Sequence, residues 1–199
     1  MLSAEIITIG DEILYGSIVD SNAAHMGQCL TGLGIQPAWF TTVGDDRGHI
    51  RHALELGISR ADVILVTGGL GPTHDDITKD VIAEVAGKRL IFHQNLLDQI
   101  EVMFTERGID MPESNRVQAF VPEGATVLDN PIGTAPGFVV SSGRTSIFVM
   151  PGVPREMVKM MEEQVKPILQ EREGGQVILH RMIKTSGIGE SHLSEYVEN

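Results

Sequence analysis

An α/β fold with a mostly parallel sheet is predicted by three features of the sequence. The first 87 residues repeat one phrase: an apolar strand, a loop rich in Gly and Asp, then an amphipathic helix. That alternation is the mark of βα units. The run Val63-Ile64-Leu65-Val66-Thr67 is apolar without a break, as suits a strand covered on both faces. Each predicted strand end then passes into glycines and acids rather than core formers, and ligands of parallel sheets bind at those carboxyl ends.

The elements follow in order. Residues 4–9 read as the first strand, and 22–33 as a helix with Met26, Cys29, Leu30 and Leu33 on one face and Gly34 ending it. Residues 35–43 read as the second strand, where Pro37 suggests an edge or a strand end. Ile50, Ala53, Leu54 and Gly57 share a face of a helix over 47–59; strand 63–67 and a helix over 76–86 follow. Beyond Gly87 the pattern loosens into a helix over 94–107 and an irregular excursion, 110–136, punctuated by Pro and Asn. Ser141-Ser142-Gly143-Arg144 between 138–140 and 145–149 reads as a hairpin turn. Met150-Pro151-Gly152-Val153-Pro154 then leads into a Met-rich helix to about residue 164. Gly174 and Gly175 mark the clearest break, which divides the chain into a domain over 1–172 and the start of a second small α+β domain over 175–199. In that second part 177–184 reads as a strand and 191 onward as a helix cut short, so a fragment of something longer is expected.

Fifteen basic against twenty-seven acidic side chains give a net charge of −12, which repels polyphosphate polymers and disfavours nucleic acid as a partner. No window approaches the ~20 apolar residues of a membrane span, and the N-terminus carries acids where a signal peptide carries bases. A cytoplasmic protein is expected. Cys29 is the single cysteine and reads as core filler.

A small phosphorylated ligand is compatible with the charge, because backbone N–H groups and a divalent cation hold phosphate locally. The stretch Thr67-Gly68-Gly69-Leu70-Gly71-Pro72-Thr73-His74-Asp75-Asp76 has the glycines for a tight turn and close backbone approach, followed by a helix N-terminus. It is neither a Walker loop nor a dinucleotide fingerprint. One of Asp75 and Asp76 is explained as a helix N-cap; the pair at a phosphate cradle points to ligand or metal. Val43-Gly44-Asp45-Asp46 repeats the theme, with Asp46 as either cap or functional acid and Asp45 as turn chemistry. The first strand ends in Gly10-Asp11-Glu12, and Asn22 stands at the start of the following helix, as either a cap or a ligand contact. Glu156 lies in a first helical turn, where the dipole favours an acid in any case. Oxygen donors of this kind suit Mg²⁺ or Mn²⁺. The seven histidines show no H-x-x-x-H spacing and no Cys/His cluster, so zinc is not expected, and His74 beside the acids is the one to watch.

Several stretches together resemble the N-terminal domain of the CinA family. They are Gly10-Asp11-Glu12-Ile13-Leu14-x-Gly16 with Asp20-Ser21-Asn22; Thr67-Gly68-Gly69-Leu70-Gly71-Pro72-Thr73-x-Asp75-Asp76-x-Thr78; Asn130-x-x-Gly133-x-Ala135-Pro136-Gly137; and Pro151-Gly152-Val153-Pro154-x-Glu156-Met157. The wider superfamily is the molybdopterin-binding domain of MogA, MoaB and MoeA. There a Thr-Gly-Gly loop and a distal Asp, matching Asp76, grip the phosphate end of a pterin, and a loop similar to Pro151-Gly152-x-Pro154 lines the pocket. The resemblance implies a three-layer α/β/α sandwich and a homodimer. For the CinA branch it implies metal-dependent hydrolysis of the ADP-ribose diphosphate to AMP and ribose 5-phosphate. Catalytic roles then fall to Asp76 and Asp46, and metal binding to Asp75, Asp76 and Glu156. Substrate contacts fall to Gly10, Glu12, Asn22, Thr67, Gly68, Gly69, Gly71, Thr78, Asn130, Gly133, Gly152 and Pro154. Leu70 replaces the second Thr usual in the molybdenum enzymes, which argues against pterin adenylylation. A molybdopterin-binding protein and a non-catalytic nucleotide-binding module are the rival readings.

Overall fold

The computed structural model describes residues 2–172 together with 186, 187, 189, 192 and 193. The expected break at Gly174-Gly175 and the strand read at 177–184 lie outside the described residues, as does the helix read from 191 onward apart from residues 192 and 193. Six strands form one sheet in the order β2-β1-β3-β8-β7-β6, with β6 (Thr126–Leu128) at the edge opposite β2. Strands β1 (Ser3–Ile9), β2 (Gln36–Val43), β3 (Val63–Thr67) and β8 (Thr145–Met150) run parallel. β7 (Gly137–Ser142) returns antiparallel to β8 as the predicted hairpin, turning at Gly143 and Arg144. β2 is indeed the edge strand, so the Pro37 nitrogen removes no donor from a two-sided ladder.

Side-chain alternation splits the core in two. Ile7, Ile9, Ile64, Val66, Ile147 and Val149 point to one face, where they meet α3 (Arg47–Arg60), α4 (Thr78–Val85) and α5 (Gln94–Glu106). Ala4, Ile6, Leu65, Phe148 and Met150 point to the other, against α2 (Ser21–Gly32), which follows the one-turn α1 (Asp11–Leu14), and against the Met-rich helix. The result is the expected three-layer α/β/α arrangement.

Three details depart from expectation. The excursion at 110–136 contains regular structure: a 3₁₀ helix at Glu113–Ala119, then β5 (Phe120–Pro122), which pairs with β4 (Leu90–Phe92), then β6 (Thr126–Leu128), which closes the main sheet beside β7. Strands of three residues carry too little alternation to stand out in sequence. The Met-rich helix runs past 164. It begins as α6 (Pro154–Met160), passes through a π-helical turn at Met161–Val165, and continues as α7 (Lys166–Arg172). Third, α4 starts at Thr78 instead of Asp76, for a reason found in the loop before it.

Glu5 lies fully buried in the middle of β1. Its carboxylate accepts from Arg60 Nε (2.8 Å) and Nη2 (2.6 Å) and from Thr41 Oγ1 (2.6 Å), while the Arg60 guanidinium stacks 4.7 Å from the Trp39 ring centre. No helix of the described residues is long and apolar enough to cross a membrane.

Candidate functional site

β1 connects outward to β2, and the chain then crosses to β3 on the other side of β1, which makes the carboxyl ends of β1 and β3 a topological switch point. A cavity of about 600 Å³ opens there, lined by Ile9 and Gly10 at the end of β1, Thr67 to Gly71 at the end of β3, and Pro151 to Pro154 after β8. That volume falls in the range of small-molecule sites.

The glycine loop is folded around neighbours that allow no side chain. A Cβ on Gly68 (φ +108°) would stand 2.0 Å from the Ile9 carbonyl oxygen, and one on Gly69 (φ +66°) would stand 2.0 Å from Thr78 Oγ1. At Gly71 the space goes to the Asp76 carboxylate. Asp76 Oδ2 accepts from both the N–H (2.9 Å) and the hydroxyl (2.6 Å) of Thr73. This turn holds residues 73–76 out of the helix, so α4 begins later with Ile77 as an N-cap that makes no side-chain bond. The capping explanation of Asp75 and Asp76 is thereby replaced: neither acid caps α4.

Asn22 does not cap either. Asp20 accepts from the Ala23 N–H at the start of α2, and Asn22, inside the first turn, ties three loops together. Its Nδ2 donates to Thr67 Oγ1 (3.0 Å) and to the Gly152 carbonyl (2.9 Å), while the Thr67 hydroxyl donates to the Pro151 carbonyl (2.8 Å). Because the Gly152 oxygen only accepts, the amide orientation is dictated by chemistry. Asn22 Oδ1 is then buried without a partner, as is Thr78 Oγ1, and they are the two such side-chain atoms among the described residues. Buried polar atoms without partners are costly and uncommon; both belong to residues around the glycine loop.

The ends of β1 and β2 are bound to each other reciprocally. The Asp11 N–H donates to Asp45 Oδ2 (3.1 Å) and the Asp45 N–H to Asp11 Oδ1 (3.3 Å). Gly44 makes room for the Asp11 carboxylate, and Gly10 faces the Glu12 carboxylate in the same way. Asp45, read from sequence as turn chemistry, lines the cavity with Glu12, Asp75, Asp76 and Glu156. Burial pushes the Asp45 pKa up, opposed by the Asp11 N–H and reinforced by the charges of Asp11, Glu12 and Asp75.

Asp46 is placed elsewhere. It caps α3 by accepting from the His49 N–H (2.9 Å), its side chain is 62% exposed, and it is not among the cavity-lining residues. The His49 N–H holds its carboxyl below the usual range. A lowered folded-state value means that this contribution is complete above the unfolded value and disappears as pH falls through the folded one. Asn caps as well as Asp, so Asp46→Asn should keep the neutral-pH urea midpoint and lose this acid-dependent decline. Midpoints measured between pH 2 and 7 for both chains test it; parallel curves would show that the cap does not titrate as described.

Glu156 enters the cavity from the first turn of α6, whose first residue is Pro154. Its Oε2 accepts from Asn130 Nδ2 (2.8 Å), which also donates to the Ala135 carbonyl (2.9 Å). A Cβ on Gly133 would fall 2.2 Å from the same carboxylate. Asn130 and Gly133 therefore reach the site through Glu156 and are absent from its lining. Thr78 likewise acts from behind Gly69. His74 is exposed and outside the lining. Sequence reasoning missed Gln118, which comes from the 3₁₀ helix and donates to the Leu70 carbonyl (3.2 Å), and the apolar lip of Ile18 (53% exposed), Val19 (89%) and Val153 (46%). It also missed a Cys/His pair: Cys29 is buried as expected but lies one helical turn from His25 and against Glu162.

Residues 5–171 match the family model described as a probable molybdopterin binding domain. The chain is 46% identical over 194 residues to a putative competence-damage inducible protein of Caldicellulosiruptor saccharolyticus, covering 98% of this chain and 47% of that one. It is 39% identical to a CinA-like protein of Dictyoglomus turgidum, covering 100% and 48%. The chain thus spans about half the length of the curated relatives it matches. Among solved structures, the CinA protein of unknown function from Thermoplasma acidophilum superposes with a TM-score of 0.76 at 34% identity, over 83% of this chain and 97% of that one. The molybdopterin biosynthesis enzyme MoaB of Thermus thermophilus shares the fold, with a TM-score of 0.59 at 21% identity over 87% and 98%. The chain belongs to the molybdopterin-binding-domain family, in its CinA branch.

Proposed function

We propose that the cavity binds a small phosphorylated, nucleotide-like ligand and hydrolyses its diphosphate, with ADP-ribose as the substrate and AMP and ribose 5-phosphate as products. The observation that carries this reading is a cavity lined by six acidic residues, Glu12, Asp20, Asp45, Asp75, Asp76 and Glu156, around a glycine loop whose flanking residues hold two unpartnered polar atoms. The backbone of Gly68, Gly69 and Gly71 would hold one phosphate. The apolar lip of Ile18, Val19 and Val153 would cover a flat ring.

Oxygen donors suit Mg²⁺ or Mn²⁺: Asp75, Asp76 and Glu156, which line the cavity with Glu12 and Asp45, would hold the ion by closing around it, since among the described residues their carboxylates do not already form a ligand group. Both bonds from Thr73 go to Asp76 Oδ2, and that from Asn130 goes to Glu156 Oε2, so each carboxylate keeps an oxygen for a cation. Such a cation, when bound, offsets the diphosphate charge and acidifies water. In the balanced reaction a water oxygen bonds to phosphorus, the P–O–P bridge breaks with the bridging oxygen leaving on the other phosphorus, and both water protons are released as the two products ionise to phosphomonoester dianions. Asp46, which lies outside the lining, has no part in this version; Asp45 takes its place among the acids at the site.

A molybdopterin ligand is the second reading, favoured by the match to the molybdopterin-binding family model. Against it stands Leu70, buried in the core and lining the cavity where a hydroxyl would otherwise be offered. One thermal-shift series with ADP-ribose and pterin, followed by chromatography of the ADP-ribose samples with Mg²⁺ and Mn²⁺, separates the readings. Metal-dependent AMP release is expected. Binding of ADP-ribose without AMP under either metal would reduce the domain to a nucleotide-binding module, and stabilisation by pterin alone would replace the assignment. A homodimer, the assembly implied by family resemblance, is proposed on the same footing, and nucleic acid is not expected to compete.

A further inference from the structure

On the opposite side of the sheet from α3, away from the cavity lining, three side chains of different chemistry meet at one point. His25 and Cys29 are one turn apart on α2, and Glu162 comes from the π-helical turn. His25 Nε2 lies 3.4 Å from Glu162 Oε1 and 3.5 Å from Cys29 Sγ, and Cys29 Sγ lies 3.2 Å from the same Glu162 oxygen. From these contacts we infer that His25 Nε2, Cys29 Sγ and Glu162 Oε1 form a binding site for a borderline transition-metal ion such as Zn²⁺.

The geometry has the right size. Ligand atoms placed ~2.0–2.3 Å from zinc in a tetrahedron are about 3.3–3.8 Å from one another, and the observed edges of 3.2, 3.4 and 3.5 Å lie at the short end of that span. Hydrogen bonds also join these groups, the Cys29 S–H donating to Glu162 Oε1 and a His25 Nε2–H facing the same oxygen; the metal reading differs in requiring neither proton, and the titration below separates the two. One sulfur, one imidazole and one carboxylate also form a donor set suited to zinc rather than to the oxygen-seeking ions of the cavity.

Two further features support the site. Lys166 Nζ holds Glu162 Oε2 at 2.9 Å, which fixes the carboxylate and leaves Oε1 toward sulfur, as outer partners of metal ligands do. The helix is α-helical up to Met160 and again from Lys166, and its register changes in the π turn that contains Glu162. Such turns are uncommon and frequently mark functional positions. The cluster is reachable: Cys29 is 8% exposed, and the side chains of His25 and Glu162 are 27% and 40% exposed. Metal binding would replace the Cys29 S–H proton, which leaves to solvent.

The test uses the full 199-residue chain, freed of metal and titrated with Co²⁺ as a spectroscopic substitute for Zn²⁺. One equivalent should produce a thiolate-to-cobalt charge-transfer band, and Zn²⁺ should displace it. Cys29→Ser should remove the band and, like His25→Ala and Glu162→Gln, weaken Zn²⁺ binding at least tenfold by calorimetry. The Asp75→Asn/Asp76→Asn double variant should leave the band intact. Absence of the band in the wild-type chain overturns the proposal without reliance on any variant. Zinc binding that persists undiminished in Cys29→Ser overturns it equally, by placing the metal among the cavity acids.

Discussion

Asp76→Asn should abolish most metal-dependent release of AMP from ADP-ribose, with a loss on the order of a hundredfold or more, as expected when a group that holds a metal is neutralised. The substitution separates charge from structure. Asp76 holds its loop by accepting twice from Thr73 through one oxygen, and the amide oxygen of Asn can accept the same two bonds. The space beside Gly71 already fits a group of this shape. The thermal midpoint should therefore stay close to that of the wild type while turnover collapses. Unchanged hydrolysis in this variant, measured at saturating Mg²⁺ and Mn²⁺, would remove Asp76 from the reaction and with it the diphosphatase reading built on the loop.

The largest stability effect is expected far from the cavity, at Arg60→Met. Glu5 is fully buried and Arg60 supplies two of its three hydrogen bonds. Removing the guanidinium leaves a carboxylate within the sheet with Thr41 as its remaining partner. Breaking a buried pair costs about 3–5 kcal/mol; because the Arg60 side chain is 26% exposed, the lower end, roughly 3 kcal/mol, is appropriate. For a domain of this size that corresponds to a fall in Tm of about 6–12 °C. The lost stacking on Trp39 acts in the same direction. Adding Glu5→Leu to Arg60→Met should recover most of the loss, since the cost belongs to the stranded charge. Equal midpoints for Arg60→Met and the wild type would show that Glu5 is satisfied without its partner.

Much of the candidate site could be read from residue order because βα units put their loops in predictable places. Strand β3 and the glycine loop after it needed only an apolar run and three glycines. The roles of single acids were less legible. Asp45 and Asp46 are chemically identical neighbours; one faces the cavity and the other caps α3 because successive residues leave β2 in different directions. Asp75 and Asp76 looked like caps because they precede a helix, yet the Thr73 turn delays that helix. Asn130 and Gly133 belong to the motif that resembles the family, but they act by shaping the bed of Glu156.

The remaining features depended on contacts across long stretches of chain. Gln118 meets the Leu70 carbonyl from an irregular segment, and Glu162 meets Cys29 through a π turn that no apolar periodicity marks. Local order, charge and glycine placement determined by themselves the α/β class, the parallel core strands and the loop from Thr67 to Asp76, because these rest on backbone conformations and burial patterns written into neighbouring residues. Tertiary structure alone decided which carboxylates share a cavity, which polar atoms go unpartnered, and that His25, Cys29 and Glu162 meet. Those outcomes depend on distances between elements that are remote in sequence, and on packing that sets them only when both core layers are complete.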